Sequence, residues 1–296
     1  MPPIPRSART APTSDGGIPL PDPRVNAWRA DLADIALRGR VDAPRYAAPV
    51  AHRLTAPAPH TMRLSPAADA VAVSELLPGE RFDVIDIAGG WAWGFSATDH
   101  YVGYVEADVL GEGALAAAHR VAVPLALAFA APDIKTPVRR LLPLNAPVAA
   151  QPAGEKFLRT AEGDYVHRRH LADVGCVADD PVAVAMSFAG TPYRWGGRTR
   201  LGIDCSGLVQ TALHACGIAC PRDSDMQALT LGDAADGELR RGDIVFFPGH
   251  VGIMVDGKQL LHANAFHMST LVESLADVVA RLAPDHAEPV TAVRRL

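Results

Sequence analysis

The chain has 296 residues, 49% of them apolar, enough for two or three domains with cores of their own. Its net charge is −5 and no basic stripe or aromatic–basic interleaving appears, which argues against nucleic acid as a partner. The four cysteines make no disulfide framework and read as reduced thiols, as in a cytoplasmic protein.

In chain order, residues 1–23 form a Pro-rich arm without the apolar core of a secretory signal. A helix-and-linker segment, 24–49, follows. Asn26 to Arg38 places Trp28, Leu32, Ile35 and Ala36 on one helical face, with Gly39 as the stop, and so predicts an amphipathic helix packed on a neighbouring domain. Two similar units come next, at 50–115 and 118–175. Each runs as short alternating strands between Gly, Pro and Asp turns, the pattern of a small β-barrel. The stretch Val121 to Ala131 is almost wholly apolar but far too short to span a bilayer, so no membrane partner is expected.

The last domain, 178–296, opens at Asp179-Asp180-Pro181, an Asp cap with proline at the first helical position, and that helix stops by Gly190. A second helix begins at Gly202-Ile203-Asp204-Cys205-Ser206-Gly207. Leu208, Val209, Ala212, Leu213 and Cys216 share one face and Gly217 ends it. Asp204 is then the N-cap and Cys205 lies in the first turn, where unpaired N–H groups favour a thiolate. Strands are predicted at 243–247, 250–255, 259–264 and 290–294, giving an α+β domain.

Two histidines are placed to serve such a thiol, His250 opening one strand and His262 in the next. Their register is decided by the turn. A two-residue loop at Asp256-Gly257 sets His250 opposite Ala263 and turns the two imidazoles to opposite faces. A three-residue turn or a bulge brings them together, because side chains alternate along a strand. If His250 is the base and His262 its orienter, the turn has to be of the second kind. Taken singly, a cysteine in an apolar helix is ordinarily a small core residue, and a strand-end histidine is ordinarily structural. A zinc site built on Cys205, Cys216, Cys220 and His214 fails on spacing, since the chain has no Cys-x-x-Cys pair; no metal or other cofactor is expected.

The motifs in combination resemble the NlpC/P60 cysteine peptidases, whose core is papain-like. Their carriers are Thr191-Pro192-Tyr193-Arg194-Trp195-Gly196-Gly197, Asp204-Cys205-Ser206-Gly207, Pro221-Arg222-Asp223-Ser224, Arg241-Gly242-Asp243-Ile244-Val245-Phe246-Phe247, Gly249-His250-Val251-Gly252 and His262-Ala263, in the family's order. The two upstream units resemble bacterial SH3-like domains. The first carries Gly90-Trp91-Ala92-Trp93-Gly94 and Tyr101-Val102-Gly103-Tyr104, whereas the second is degenerate and lacks the tryptophans.

The resemblance implies Cys205 as nucleophile, His250 as general base and acid, and His262 as its orienter. It implies hydrolysis of the γ-D-glutamyl–diamino acid bond of murein peptides, with the first SH3-like unit closing the cleft so that only a free N-terminal L-Ala is accepted. The amine pocket would then draw on Tyr193, Asp204 and Ser206, with Tyr101 and an acid such as Glu80 from the first unit, while Ser224 would lie along the substrate groove. Asp204 also reads as an N-cap, and both roles can hold together; Tyr101 also reads as barrel core, and Arg222 equally as half of a structural ion pair. Trp195 is expected in the core or the cleft wall, Arg198 and Arg200 in a solvated loop, and Gln227 as a fold determinant. Two other readings stay open: an exported wall hydrolase or amidase without free-amine selectivity, and a wall-binding protein without catalysis. The second would have lost the thiol or a histidine. The patterning carries no reading of oligomeric state.

Overall fold

The computed structural model describes residues 19–296. The Pro-rich arm lies, for residues 1–18, outside the described residues. Between Trp28 and Leu37 the chain makes two short antiparallel strands, Trp28–Arg29 and Leu32–Asp34, then a single 3-10 turn, Ile35–Leu37, in place of the expected helix. Tertiary contacts override the helical spacing here. Ala27 and Leu32 are buried against Ile85, Trp93 and Phe95 of the first β unit, and the Trp28 indole N–H donates to the Pro21 carbonyl at 2.9 Å. The segment packs on its neighbour, but as an extended strap.

The first β unit is a seven-stranded antiparallel sheet running from Val50–Leu54 to Leu110–Glu112. It closes around Leu54, Met62, Leu76, Phe82, Val84, Ala92 and Val105. The second unit has a five-stranded and a three-stranded sheet between His119–Val121 and Leu171–Asp173, around Val121, Ala126, Ala128, Leu142 and Val166.

The C-terminal domain is one six-stranded antiparallel sheet with helices on both faces. Its strands, in spatial order, are Asp233–Ala234, Ala292–Arg295, Ile244–Phe247, His250–Met254, Gln259–Asn264 and Ser269–Ser274. Helix α1, Pro181–Met186, starts at Asp180, whose carboxylate accepts from the Val182 and Ala183 N–H groups. Helix α2 is Cys205–Ala215, helix α3 is Ser224–Thr230, and α4, which the periodicity did not mark, is Leu275–Leu282. The period of two along the sheet sorts its side chains. Ile244, Phe246 and Val251 meet Val209 and Leu213 of α2, while Val245, Phe247, Met254 and Leu260 pack with Val278 of α4.

Helix α2 is more enclosed than a one-faced pattern implies. Every residue in it except His214 is buried, because α1 and the sheet also take Leu208 and Ala212. Its start is tightly packed. A Cβ on Gly207 would fall 2.3 Å from the Gly197 carbonyl oxygen, so the glycine after the Cys-Ser pair is needed for backbone to pass backbone.

Candidate active site

Asp204 builds the nucleophile end. Its Oδ1 accepts from the Gly207 N–H at 2.7 Å, capping α2, and its Oδ2 accepts from the Gly196 N–H at 2.8 Å. Arg222, 1% exposed, bonds both oxygens at 2.9 and 2.6 Å and donates to Ser206 Oγ at 2.9 Å. With the Ser206 hydroxyl at 3.3 Å, five donors therefore surround the Asp204 carboxylate. It is a cap and an ion-pair partner. Gln227 secures the same corner, donating to the Ser206 and Pro221 carbonyls at 3.0 and 2.8 Å.

Cys205 is 7% exposed and shares a buried cluster with Val251, the residue after His250. Burial, then the Asp204 charge, pushes its thiol up to about 12 against the Val251 and Ser206 N–H groups, which favour the thiolate. His250 Nε2 lies 2.8 Å from His262 Nδ1. The hairpin between them pairs Ile253 with Leu261 and Met254 with Leu260, and the Val255 N–H donates to the Gln259 carbonyl. The turn is therefore three residues, Asp256 to Lys258, and both imidazoles face one side, as the register argument required. Burial, then His262, holds the His250 imidazole down to about 3. Both shifts favour the uncharged thiol and the uncharged imidazole.

Beyond His262 stands a carboxylate that no motif marked. Glu273 Oε1 is 2.7 Å from His262 Nε2, and Arg281 of α4 grips both Glu273 oxygens. Asn264 Nδ2 also approaches His262 Nε2, at 2.9 Å. The strand Ser269–Ser274 that carries Glu273 was not anticipated, and only its pairing beside Gln259–Asn264 brings the acid there.

The other predicted residues divide. Tyr193 is half-buried, and burial, followed by electrostatic coupling to Cys205 and Asp204, pushes its phenol up. Ser206 follows Cys205, and half-buried Ser224 opens α3 next to Asp223. Tyr101, 6% exposed, donates its hydroxyl to Asp223 Oδ2 at 2.8 Å, so a barrel residue reaches this corner.

Glu80 does not join them. It accepts from the Leu77 N–H at 2.9 Å and the Thr98 hydroxyl at 2.7 Å, and pairs with Arg198 at 3.3 Å. Glu75 is equally committed, to Arg194 at 2.6 Å and the Arg198 N–H at 2.7 Å. Arg198 is itself 3% exposed, a buried ion-pair partner where a solvated side chain was expected. Arg200 donates to the Ser187 and Ala189 carbonyls just past α1, and Trp195 is 51% exposed, outside the core. Among the described residues, no three His, Cys, Asp or Glu side chains stand together as a metal site.

Residues 190–278 match the NlpC/P60 family and residues 62–110 the bacterial dipeptidyl-peptidase Sh3 domain. A dipeptidyl-peptidase 6 of Lysinibacillus sphaericus is 32% identical over 43% of this chain and 47% of its own length. A gamma-D-glutamyl-L-lysine dipeptidyl-peptidase of Bacillus subtilis is 29% identical over 48% of this chain and 47% of its own. The chain thus spans about half the length of these curated relatives. A crystal structure of an NlpC/P60 family protein from Bacillus cereus shares the fold at a TM-score of 0.69 and 20% identity, over 83% of this chain and 99% of that one. Residues 190–278 thus form an NlpC/P60 family domain, behind a bacterial dipeptidyl-peptidase Sh3 domain at residues 62–110.

Proposed function

We propose that the protein is a cysteine endopeptidase that cuts the γ-D-glutamyl–diamino acid bond of murein peptides bearing a free N-terminal L-Ala. The observation that carries this reading is that the first β unit meets the last domain at the corner next to Cys205, where Arg222 bonds both Asp204 and Ser74. Cys205 is buried with Val251, the residue after His250, whose ring meets that of His262, and the first β unit is fastened to the neighbouring α3 corner through Tyr101–Asp223 and Arg222–Ser74. The similarity to a gamma-D-glutamyl-L-lysine dipeptidyl-peptidase supports the bond and the substrate class.

The chemistry follows from the resting charges. Because thiol and imidazole are both neutral, the Cys205 proton passes to His250 as sulfur attacks the glutamyl carbonyl, and no preformed ion pair is involved. The helix-start N–H groups near Cys205 oppose the charge growing on the carbonyl oxygen. His250 then returns its proton to the departing amine, leaving a thioester at Cys205 that water hydrolyses to L-Ala-γ-D-Glu.

Asp223, in place of Glu80, is the acid that fits a substrate ammonium. Burial raises its pKa although Arg222, Tyr101 and Arg24 oppose the rise, so a further cation beside it is favourable. Its Oδ2 takes Tyr101 and Arg24, and Oδ1 has no hydrogen-bond partner among the described residues. We read residues 118–175 as a second, degenerate SH3-like unit that braces α2: Arg120 donates to the Ala215 carbonyl at 2.8 Å and Asn145 to the Thr211 carbonyl at 3.0 Å. A cytoplasmic role in recycling wall peptides goes with the free-amine requirement. No helix among the described residues is long and apolar enough to cross a membrane.

The test is hydrolysis of L-Ala-γ-D-Glu-L-Lys and its N-acetylated twin by wild type and Cys205→Ala. Cleavage of the free peptide alone, by wild type alone, is the expected result. Equal cleavage of both peptides removes the amine pocket and favours a general wall hydrolase.

A further inference from the structure

Four groups surround the outer edge of His262: Glu273 from the next strand, Arg281 from α4, Asn264 two residues on, and His267 from the following turn. They make conflicting demands on one nitrogen. His262 Nε2 is 2.7 Å from Glu273 Oε1, which needs a proton on Nε2, and 2.9 Å from the Asn264 amide nitrogen, which needs a bare one. The amide cannot turn over to relieve the conflict without losing a bond, because Asn264 Oδ1 accepts from the His267 N–H at 2.8 Å.

Only one contact can hold the proton, and the choice propagates. If Glu273 prevails, His262 carries hydrogen on Nε2 and leaves Nδ1 bare. His250 Nε2, 2.8 Å away, must then donate to it, so the lone pair of a neutral His250 resides on Nδ1. If Asn264 prevails, His262 donates from Nδ1 to His250 Nε2, the proton of His250 moves to Nδ1, and its only lone pair is spent on His262. The first arrangement leaves a base with a free lone pair. The second leaves none.

The geometry points to Glu273 as the positioning residue that selects the first arrangement. This rests on the reading of His250 as general base. The physical reason is charge. Arg281 engages both Glu273 oxygens and, with His262, brings the carboxyl below its usual range despite partial burial. An ionised acceptor makes a hydrogen bond roughly twice as strong as a neutral amide–imidazole contact. His267, 3.6 Å from the other oxygen, adds a weaker pull in the same direction when protonated. Glu273 touches neither the thiol nor the scissile bond; it acts through two imidazoles in series.

The direct test is a long-range proton–nitrogen NMR correlation on wild-type protein labelled with 15N-histidine, at a pH where both rings are neutral. Protonated Nε2 with bare Nδ1 on both His250 and His262 is expected. Protonated Nδ1 on either ring overturns the assignment, whatever the substrate proves to be. Kinetics supply the second arm. Glu273→Gln should lower kcat about 10-fold with KM little changed, the scale of one lost charge-assisted hydrogen bond, and Glu273→Asp should restore part of it. A Glu273→Gln enzyme that keeps wild-type kcat and the wild-type tautomers refutes the role. Loss of all cleavage by wild type refutes the peptidase reading while leaving the tautomer result standing.

Discussion

At the level of single side chains, the site is set by burial competing with local charge. Cys205 stands at a helix start, a place that ordinarily lowers a thiol pKa. Enclosure and the Asp204 carboxylate outweigh that effect and take it to about 12, while His250 falls to about 3. The sign is definite: thiolate grows tenfold per pH unit until the pKa is reached. Alkylation of Cys205 by iodoacetamide should therefore still be climbing at pH 9 to 10, and a plateau by pH 6 would mean a resting thiolate–imidazolium pair. Asp223 supplies a second prediction. Asp223→Asn keeps the shape and removes the charge, so KM for the free-amine peptide should rise by about 10-fold or more, the worth of one charged hydrogen bond, with kcat nearly unchanged. An unaltered preference over the acetylated twin would place the amine elsewhere.

Among elements, the corner where α2 begins carries the tightest constraint. Gly207 passes the Gly197 carbonyl so closely that a methyl group has no room, and the Gly-Gly turn before the helix supplies that carbonyl. Gly207→Ala should shift the α2 start and cost about 1–3 kcal/mol by overpacking. Thermal unfolding would register the loss, and cleavage should fall further than stability alone explains because Cys205 moves with the turn. The hairpin shows the same economy of means. One extra residue in the turn, Lys258, decides whether the two imidazoles meet or face away. The strap at residues 26–38 is the opposite case, where helical spacing lost to a sheet surface. Its apolar residues found burial on Ile85, Trp93 and Phe95 without making a helix.

Across the whole molecule, charged and polar contacts between units, some of them buried, tie the first β unit to the last domain. Glu75 and Glu80 of the first unit meet Arg194 and Arg198 of the last domain, and Arg222 reaches Ser74. Arg24, just before the strap, pairs with Asp223 and Asp225 at the start of α3. Cutting the chain at residue 178 would leave Arg198 without its carboxylate. Water would solvate the uncovered guanidinium, so the loss is that of the charged contacts themselves, about 1.5–3 kcal/mol each, or on the order of 10 °C for a domain of this size. Circular dichroism of residues 178–296 alone should show that drop relative to the full chain. An isolated domain melting with the intact protein would mean that the interface adds no stability.

The amino-acid sequence alone determined the α+β class of the last domain, the Asp180 and Asp204 caps, and the order of thiol and histidines, because caps, glycine turns and strand alternation are local. It also carried the conditional rule on the hairpin, since register parity follows from period two. Tertiary structure decided what depends on distant partners. Asp204 is claimed by Arg222, Glu80 by Arg198, and His262 by an acid on a strand that the pattern did not announce. A carboxylate reads the same along the chain whether it will hold a substrate, a guanidinium or an imidazole; its neighbours in space settle which.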